Sequence, residues 1–168
     1  MNYYDGIKKK IAEWPELKKM IALWRFKNQK IVFTNGCFDL IHQGHIHLLT
    51  TAGSFGDVLI VALNTDASIA KLKPGRPLQD QFSRSLIMAS FTFVDVVILF
   101  GEETPYELIQ KVQPDVLVKG GDYTPDDVVG KEFVEKHGGK VELVKCAEGY
   151  STTNILLKIK GGRYYETE

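Results

Sequence analysis

Cysteine is scarce in this 168-residue sequence: Cys37 and Cys146 are the only two. They are too few and too far apart for a disulfide framework, so both are expected to be free thiols in a reducing compartment. Long apolar runs are lacking as well. A stretch such as Val58-Leu59-Ile60-Val61-Ala62-Leu63 falls far short of the ~20 residues that cross a bilayer, so no membrane span is expected. Met1 to Gly6 lead into a charged segment instead of a signal-type apolar core, which makes the cytoplasm the simplest compartment. Charge of one sign is missing too. Lysine and arginine number 21 and so do aspartate and glutamate. With no long basic run either, the electrostatic footprint of a duplex-binding protein is absent and nucleic acid is not an expected partner. No repeat, low-complexity tract or Pro/Gly-rich linker divides the chain.

What remains is an ordinary folding sequence, 44% apolar and 25% charged. Its length suits one domain with a core of useful size. Leu17, Met20, Ile21, Leu23 and Trp24 recur at helical spacing across 15–28, with Lys18, Lys19, Arg25 and Lys27 on other faces, which predicts an amphipathic helix. Short apolar or β-branched runs follow at 30–34, 58–63, 94–100, 115–119 and 140–144, each short enough for a buried strand. Helical patterns lie between them at 45–52, 80–93, 105–112 and 126–137; Thr104, Pro105 and Glu107 suit N-cap, N1 and N3 of the third. Strand and helix therefore alternate. Parallel neighbours need right-handed crossovers, and each crossover here is a helix, so the expected fold is a Rossmann-like α/β three-layer sandwich around a five-stranded parallel sheet. We divide the chain into an amino-terminal helical extension (1–29), the main domain (30–160) and a polar tail (161–168).

In open sheets of this kind ligands collect beyond the carboxyl ends of the strands. After the first strand the chain reads Thr34-Asn35-Gly36-Cys37-Phe38-Asp39-Leu40-Ile41-His42-Gln43-Gly44-His45. Gly36 and Gly44 allow close backbone approach. A helix starting near His45 would point N–H groups and its positive dipole end at an anion, with phosphate the natural ligand. His42 and His45 could then donate hydrogen bonds to phosphoryl oxygens as charge builds during in-line displacement. Taken alone, the pair could equally fill a helix start. A zinc site using His42, His45, His47 and Cys37 would match none of the usual paired spacings, so no dedicated metal ligands are expected.

Other post-strand segments carry weaker signals. The loop Lys71-Leu72-Lys73-Pro74-Gly75-Arg76-Pro77 has three cations, and is either a solvated turn or a phosphate contact. Asp80 and Arg84 could pair within a helix. Lys119-Gly120-Gly121-Asp122 reads as a tight turn or a nucleotide contact. Ser151-Thr152-Thr153 precede the apolar-periodic 154–159 and can cap a helix start.

Gly36, Phe38, Asp39, His42, Gly44 and His45 match the G-x-F-D-x-x-H-x-G-H signature, and the chain resembles the cytidylyltransferase-like nucleotidyltransferases. Within that superfamily the likeness over 30–160 is to the heptose 1-phosphate adenylyltransferase subgroup, carried also by Asn64-Thr65-Asp66-Ala67-Ser68, Lys119–Tyr123 and Ser151–Ile155. That subgroup forms half of a bifunctional kinase/adenylyltransferase whose kinase half has no counterpart here. The resemblance implies transfer of AMP from ATP to D-glycero-D-manno-heptose 1-phosphate, with a separate kinase supplying the acceptor. It implies His42, His45 and Lys73 as catalytic residues. It assigns Thr34, Asn35, Gly36, Cys37, Phe38, Gly44, Arg84, Lys119, Gly120, Gly121, Ser151, Thr152 and Thr153 to the nucleotide, and Asp39, Asn64, Asp66 and Asp122 to the acceptor. Mg²⁺ would arrive on the triphosphate. A homodimer is expected from the family, and Trp14 and Trp24 offer surface that could serve an interface or cover the domain's own core. Several cytidylyltransferases carry an arginine shortly before their I-S-T-T element, whereas here Lys145, Cys146, Ala147, Glu148 and Gly149 intervene and Tyr150 replaces the isoleucine. A CTP-using enzyme acting on glycerol 3-phosphate or a similar acceptor is therefore the second reading. A nucleotide-binding module without catalysis is the third.

Overall fold

The computed structural model describes residues 2–121, 124, 127–145 and 152–160. Asp122, Cys146, Ser151, the tail 161–168 and the start of the helix expected at 126–137 lie outside the described residues. Five parallel strands form one sheet in the order β3-β2-β1-β4-β5. They are β1 (Ile31–Gly36), β2 (Val58–Asn64), β3 (Val96–Phe100), β4 (Val116–Gly120) and β5 (Lys140–Val144). Every residue of β2 is buried, as a strand with helices on both faces requires.

Alternation along the strands sends successive side chains into two separate cores. Phe33, Ile60 and Leu117 pack with α2 (Trp14–Phe26), α6 (Tyr106–Val112) and α7 (Lys131–Lys136). Val32, Val61 and Val118 pack with α3 (Gln43–Gly53) and α5 (Gln81–Ser90). From β1 the chain builds outward through β2 to β3, then returns to place β4 on the other side of β1. The strand order thus reverses between β1 and β4, which puts the ligand crevice over their carboxyl ends.

The sandwich and all five strands agree with the expectation, but several ends move. β1 continues through Asn35 and Gly36, because these pair in register with Ala62 and Leu63 of β2. β4 continues to Gly120, paired with Val144. The motif glycines therefore terminate strands instead of lying beyond them. Two short helices escaped periodicity, α1 (Tyr3–Lys8) and α4 (Asp66–Leu72). In six or seven residues an apolar period barely completes two turns. Thr65 starts α4 by accepting a hydrogen bond from Ser68 N. The helix expected from Pro105 begins at Tyr106, with Pro105 itself at the N-cap and no side-chain cap.

The amino-terminal segment belongs to the same core. Ala12 and Leu17 are buried in it, and Trp14 and Trp24 pack against it. Ala12 N donates to Val97 O at 2.9 Å and Val97 N to Lys10 O at 2.8 Å, while Lys10 Nζ donates to the carbonyls of Phe91 and Val94. The segment thereby covers the β3 edge, whose unpaired backbone groups would otherwise invite association.

Candidate active site

The chain turns sharply where β1 ends. Phe38 has φ +44°, a left-handed conformation that costs a non-glycine residue of order 1–3 kcal/mol. Its buried ring folds back over Gly36, where an added Cβ would lie 2.9 Å from the ring, and reaches the His45 ring with centroids 5.1 Å apart. α3 then begins at Gln43, earlier than the expected start near His45, with His42 as N-cap. His45 N donates to His42 O at 2.9 Å. A separation of three on a helix start places both imidazoles on one face, and they stack with centroids 3.7 Å apart and planes 21° from parallel.

Burial, joined by the facing His42 and by Lys73 and opposed by a hydrogen bond to the Leu40 backbone, pushes the His45 pKa down to about 4. Burial also lowers His42. Both rings are therefore neutral near pH 7, each with one N–H donor and one acceptor nitrogen. Among the described residues, Nδ1 of each is buried without a hydrogen-bond partner of normal geometry. Such nitrogens are costly unless a ligand meets them.

The pair lies in a cleft of about 800 Å³ along the carboxyl edge of the sheet. The structure brings Asn35, Gly36, Cys37, Phe38, Asp39, Gly44, Asn64, Lys73, Lys119, Gly120, Thr152 and Thr153 to its walls. Lys119 Nζ donates to Asn35 Oδ1 at 3.3 Å. Burial lowers its pKa, partly offset by the Cys37 thiol. At Gly120 a Cβ would sit 2.7 Å from Leu48 Cδ2, so glycine lets α3 close onto the end of β4. Thr152 opens α8 (Thr152–Lys160) on the same wall.

Thr34, Asp66, Arg84 and Gly121 do not line this cleft. Arg84, expected to face the site, is fully buried. Its guanidinium donates to the carbonyls of Gln79, Cys37 and Asn64 at 3.1, 2.8 and 2.7 Å, and to Asp66 Oδ1 at 2.8 Å. Those contacts use its planar fork to tie α5 to the ends of β1 and β2. The Asp80–Arg84 side-chain pair does not form. Asp80 instead caps α5, accepting from Ser83 N and Oγ at 2.9 and 2.6 Å, bonds that hold its carboxyl below the usual range. Asp66 accepts from Arg84 and from Gln81 N at 3.0 Å. Asp39 reaches the cleft wall, but its carboxylate is engaged by Arg76 and by backbone N–H groups. Thr34 is buried at the sheet centre, its hydroxyl unpartnered among the described residues.

Arg76, one of the three cations of the loop 71–77, also lines the cleft, as do Glu103, Thr104 and Lys145, which were not singled out as site residues in the sequence. Glu103 and Thr104 follow β3 and Lys145 follows β5, so the rule that ligands gather after strands would have found all three. A second depression, of about 540 Å³ and lined by Arg25, Lys30, Asp115 and Lys140, lies at the amino end of the sheet, away from every motif.

Comparison with known proteins agrees with this geometry. Residues 33–157 match the family described as cytidylyltransferase-like. The chain is 52% identical over 151 residues to the bifunctional protein HldE of Trichlorobacter lovleyi, covering 89% of this chain and 31% of that protein. It is 50% identical over 158 residues to the bifunctional protein HldE of Geotalea uraniireducens, covering 94% and 32%. It thus spans about a third of the length of these relatives. Among solved structures, the lipopolysaccharide core biosynthesis protein of Thermoplasma volcanium superposes with TM-score 0.59 at 30% identity, over 73% of this chain and 99% of that one. A pantoate-beta-alanine ligase of Francisella tularensis shares the fold, with TM-score 0.58 at 19% identity over 89% and 76%. With the family model spanning most of the chain and the histidine signature seated where the strand order reverses, this chain belongs to the cytidylyltransferase-like family.

Proposed function

We propose that the protein is an adenylyltransferase that joins AMP from ATP to D-glycero-D-manno-heptose 1-phosphate, releasing pyrophosphate and forming ADP-heptose for surface glycan precursors. The observation that carries this reading is the stacked, neutral His42–His45 pair lining a cleft that also holds Lys73 and Lys119. An oxygen of the sugar phosphate attacks the α-phosphorus. The new P–O bond forms as the α–β bridging P–O bond breaks, and pyrophosphate leaves with the electron pair. The attacking phosphate is already ionised at neutral pH, so no base is needed and the protein supplies alignment and charge stabilisation. Imidazole N–H groups donate to the α-phosphoryl oxygens, and Lys73 balances charge on the leaving phosphates.

The cleft is lined from both sides of β1, which suits two substrates. Beyond β4 and β5 it offers Lys119, Gly120, Lys145, Thr152, Thr153 and the apolar Val144 and Leu156, a setting for phosphates and a base. Beyond β2 and β3 it offers Asn64, Glu103 and Thr104, whose polar groups suit the hydroxyls of a sugar. Asp122 and Ser151 join the acceptor and nucleotide sets through their motifs. Among the described residues no three His, Cys, Asp or Glu side chains converge as a metal cage. Mg²⁺ carried on triphosphate oxygens and water needs none, and neutralises phosphate charge when bound. Likeness to HldE proteins, and to a protein described by lipopolysaccharide core biosynthesis, supports the heptose choice. No described helix is long and apolar enough to cross a membrane, and we place the reaction in the cytoplasm. We include a homodimer in the proposal, to be read by sedimentation.

The deciding experiment is pyrophosphate release from ATP, CTP and other triphosphates against heptose 1-phosphate and glycerol 3-phosphate. Turnover with ATP and heptose 1-phosphate is the expected result. Turnover with CTP alone would overturn the nucleotide assignment, and ATP binding without turnover on any acceptor would favour a binding module.

A further inference from the structure

Asp39 belongs to the turn after β1, yet nearly everything its side chain touches comes from a segment about forty positions along the chain. Its buried carboxylate accepts from Leu78 N at 3.0 and 2.9 Å and from Gln79 N at 3.0 Å, and pairs with Arg76 Nε at 2.9 Å. Gln79 Nε2 donates back to the Asp39 carbonyl. Gln79 O in turn accepts from Arg84 Nε, which carries the linkage to the end of β2. A carboxylate is buried at this cost only when its partners are fixed around it, so the carboxylate and the segment hold each other.

The segment also carries the lysine. Lys73 is the C-cap of α4, its N–H bonded to Ile69 O at 2.8 Å, and Arg76 N returns to Lys73 O at 3.1 Å. Lys71 to Gly75 are exposed, so little else anchors them. The Lys73 ammonium has no hydrogen-bond or ion-pair partner among the described residues, although it lines the cleft with His45. A long exposed side chain loses ~2 kcal/mol of rotamer freedom when held in place, so where its backbone is pinned largely decides what it can reach.

We propose that Asp39 is a positioning residue for nucleotidyl transfer: its buried carboxylate clamps the loop 73–79 to the end of β1 and so holds Lys73 over the His42–His45 pair. The proposal rests on the nucleotidyltransferase reading above, and removes Asp39 from the acceptor contacts that the family resemblance implies. Arg76, which lines the cleft beside Lys73, is set by the same clamp.

The test is pyrophosphate release with ATP and heptose 1-phosphate, together with amide exchange at Leu78 and Gln79. Asp39→Asn is expected to lower kcat by about a hundredfold, the scale of a small misplacement of a catalytic group, with KM for the sugar phosphate little changed. In a Lys73→Ala background it is expected to cost less than about twofold more, because both changes remove one interaction. The Leu78 and Gln79 amides should exchange faster while those of β2 stay protected. Gln79→Ala trims only the carboxamide, and should give the same pattern at about fivefold, which keeps the test decisive if Asp39→Asn does not fold. Losses that multiply in the double variant would overturn the clamp. So would a raised KM for the sugar phosphate at unchanged kcat, or unchanged exchange at both amides. Absence of turnover in the unsubstituted chain would sink the functional reading itself, and is thereby distinguishable.

Discussion

The supports beneath the β2 end of the cleft and the start of α3 are built in opposite ways. On the β2 side Asp39, Asp66 and Arg84 are locked into one network, and the four guanidinium contacts of Arg84 all go to protein. At the start of α3, His42 and His45 stack on each other, and among the described residues their buried Nδ1 atoms have no hydrogen-bond partner of normal geometry. The first arrangement commits its polar groups to holding shape, and in the proposed function the second offers them to a ligand. Removing Arg84 from the network should cost mainly stability, and removing a histidine should cost mainly rate.

The largest expected effect breaks the network. Arg84→Met would take the donor from three carbonyls and the cation from the half-buried Asp66, a loss of about 3–5 kcal/mol, since each buried carbonyl left unsatisfied costs about 1–3 kcal/mol. Thermal denaturation reads it, and a melting temperature within a degree or two of the unsubstituted chain would refute the assignment of Arg84 to structure. Next, His45→Ala should remove about 3 kcal/mol of transition-state stabilisation, roughly a hundredfold in kcat, while leaving the melting temperature nearly unchanged. Near-normal turnover in that variant would erase the contrast between the two regions.

A smaller effect is expected where α3 meets β4. Gly120→Ala would place a Cβ 2.7 Å from Leu48. Leu48 must move, at a cost of about 1–3 kcal/mol, and the loss should show in denaturant midpoint as well as in ATP binding. The subtlest effect concerns pH. The folded His45 pKa of about 4 lies below its ordinary 6.5, so the unfolded chain binds the proton more readily. Stability should therefore fall as pH drops from about 6.5 to 4 and level off below, once the folded protein protonates too. His45→Gln should flatten that window, and identical profiles for the two proteins would contradict a buried neutral imidazole. Binding ATP should act in the opposite sense and raise the His45 pKa, because anionic phosphate favours the imidazolium. Histidine NMR titration with and without nucleotide measures both.

Much of the site could be read along the chain because its parts are local. Gly36, Phe38, Asp39, His42, Gly44 and His45 fall within ten residues, and the glycines and histidines announce a strand giving way to a helix start that could meet an anion. Lys119-Gly120 and Thr152-Thr153 follow the same logic after β4 and before α8. Asp39, Asp66 and Arg84 could not be sorted that way. Each is a polar residue in or near a motif, and only partners 18 to 47 residues distant reveal that its side chain is committed to protein. Glu103 and Thr104 carry no motif of their own, and only their place just after β3 marks them as cleft residues.

The sequence by itself determined the alternation of strands and helices, the parallel sheet and the edge where ligands would gather, because hydrophobic period and right-handed crossovers are properties of short segments. It also determined which residues could meet a phosphate. Tertiary structure alone decided which of them line the cleft. Whether a charged side chain faces a cleft or spends its hydrogen bonds on carbonyls depends on what packing brings within about 3 Å of it, and those neighbours are fixed by strand order, not by spacing along the chain.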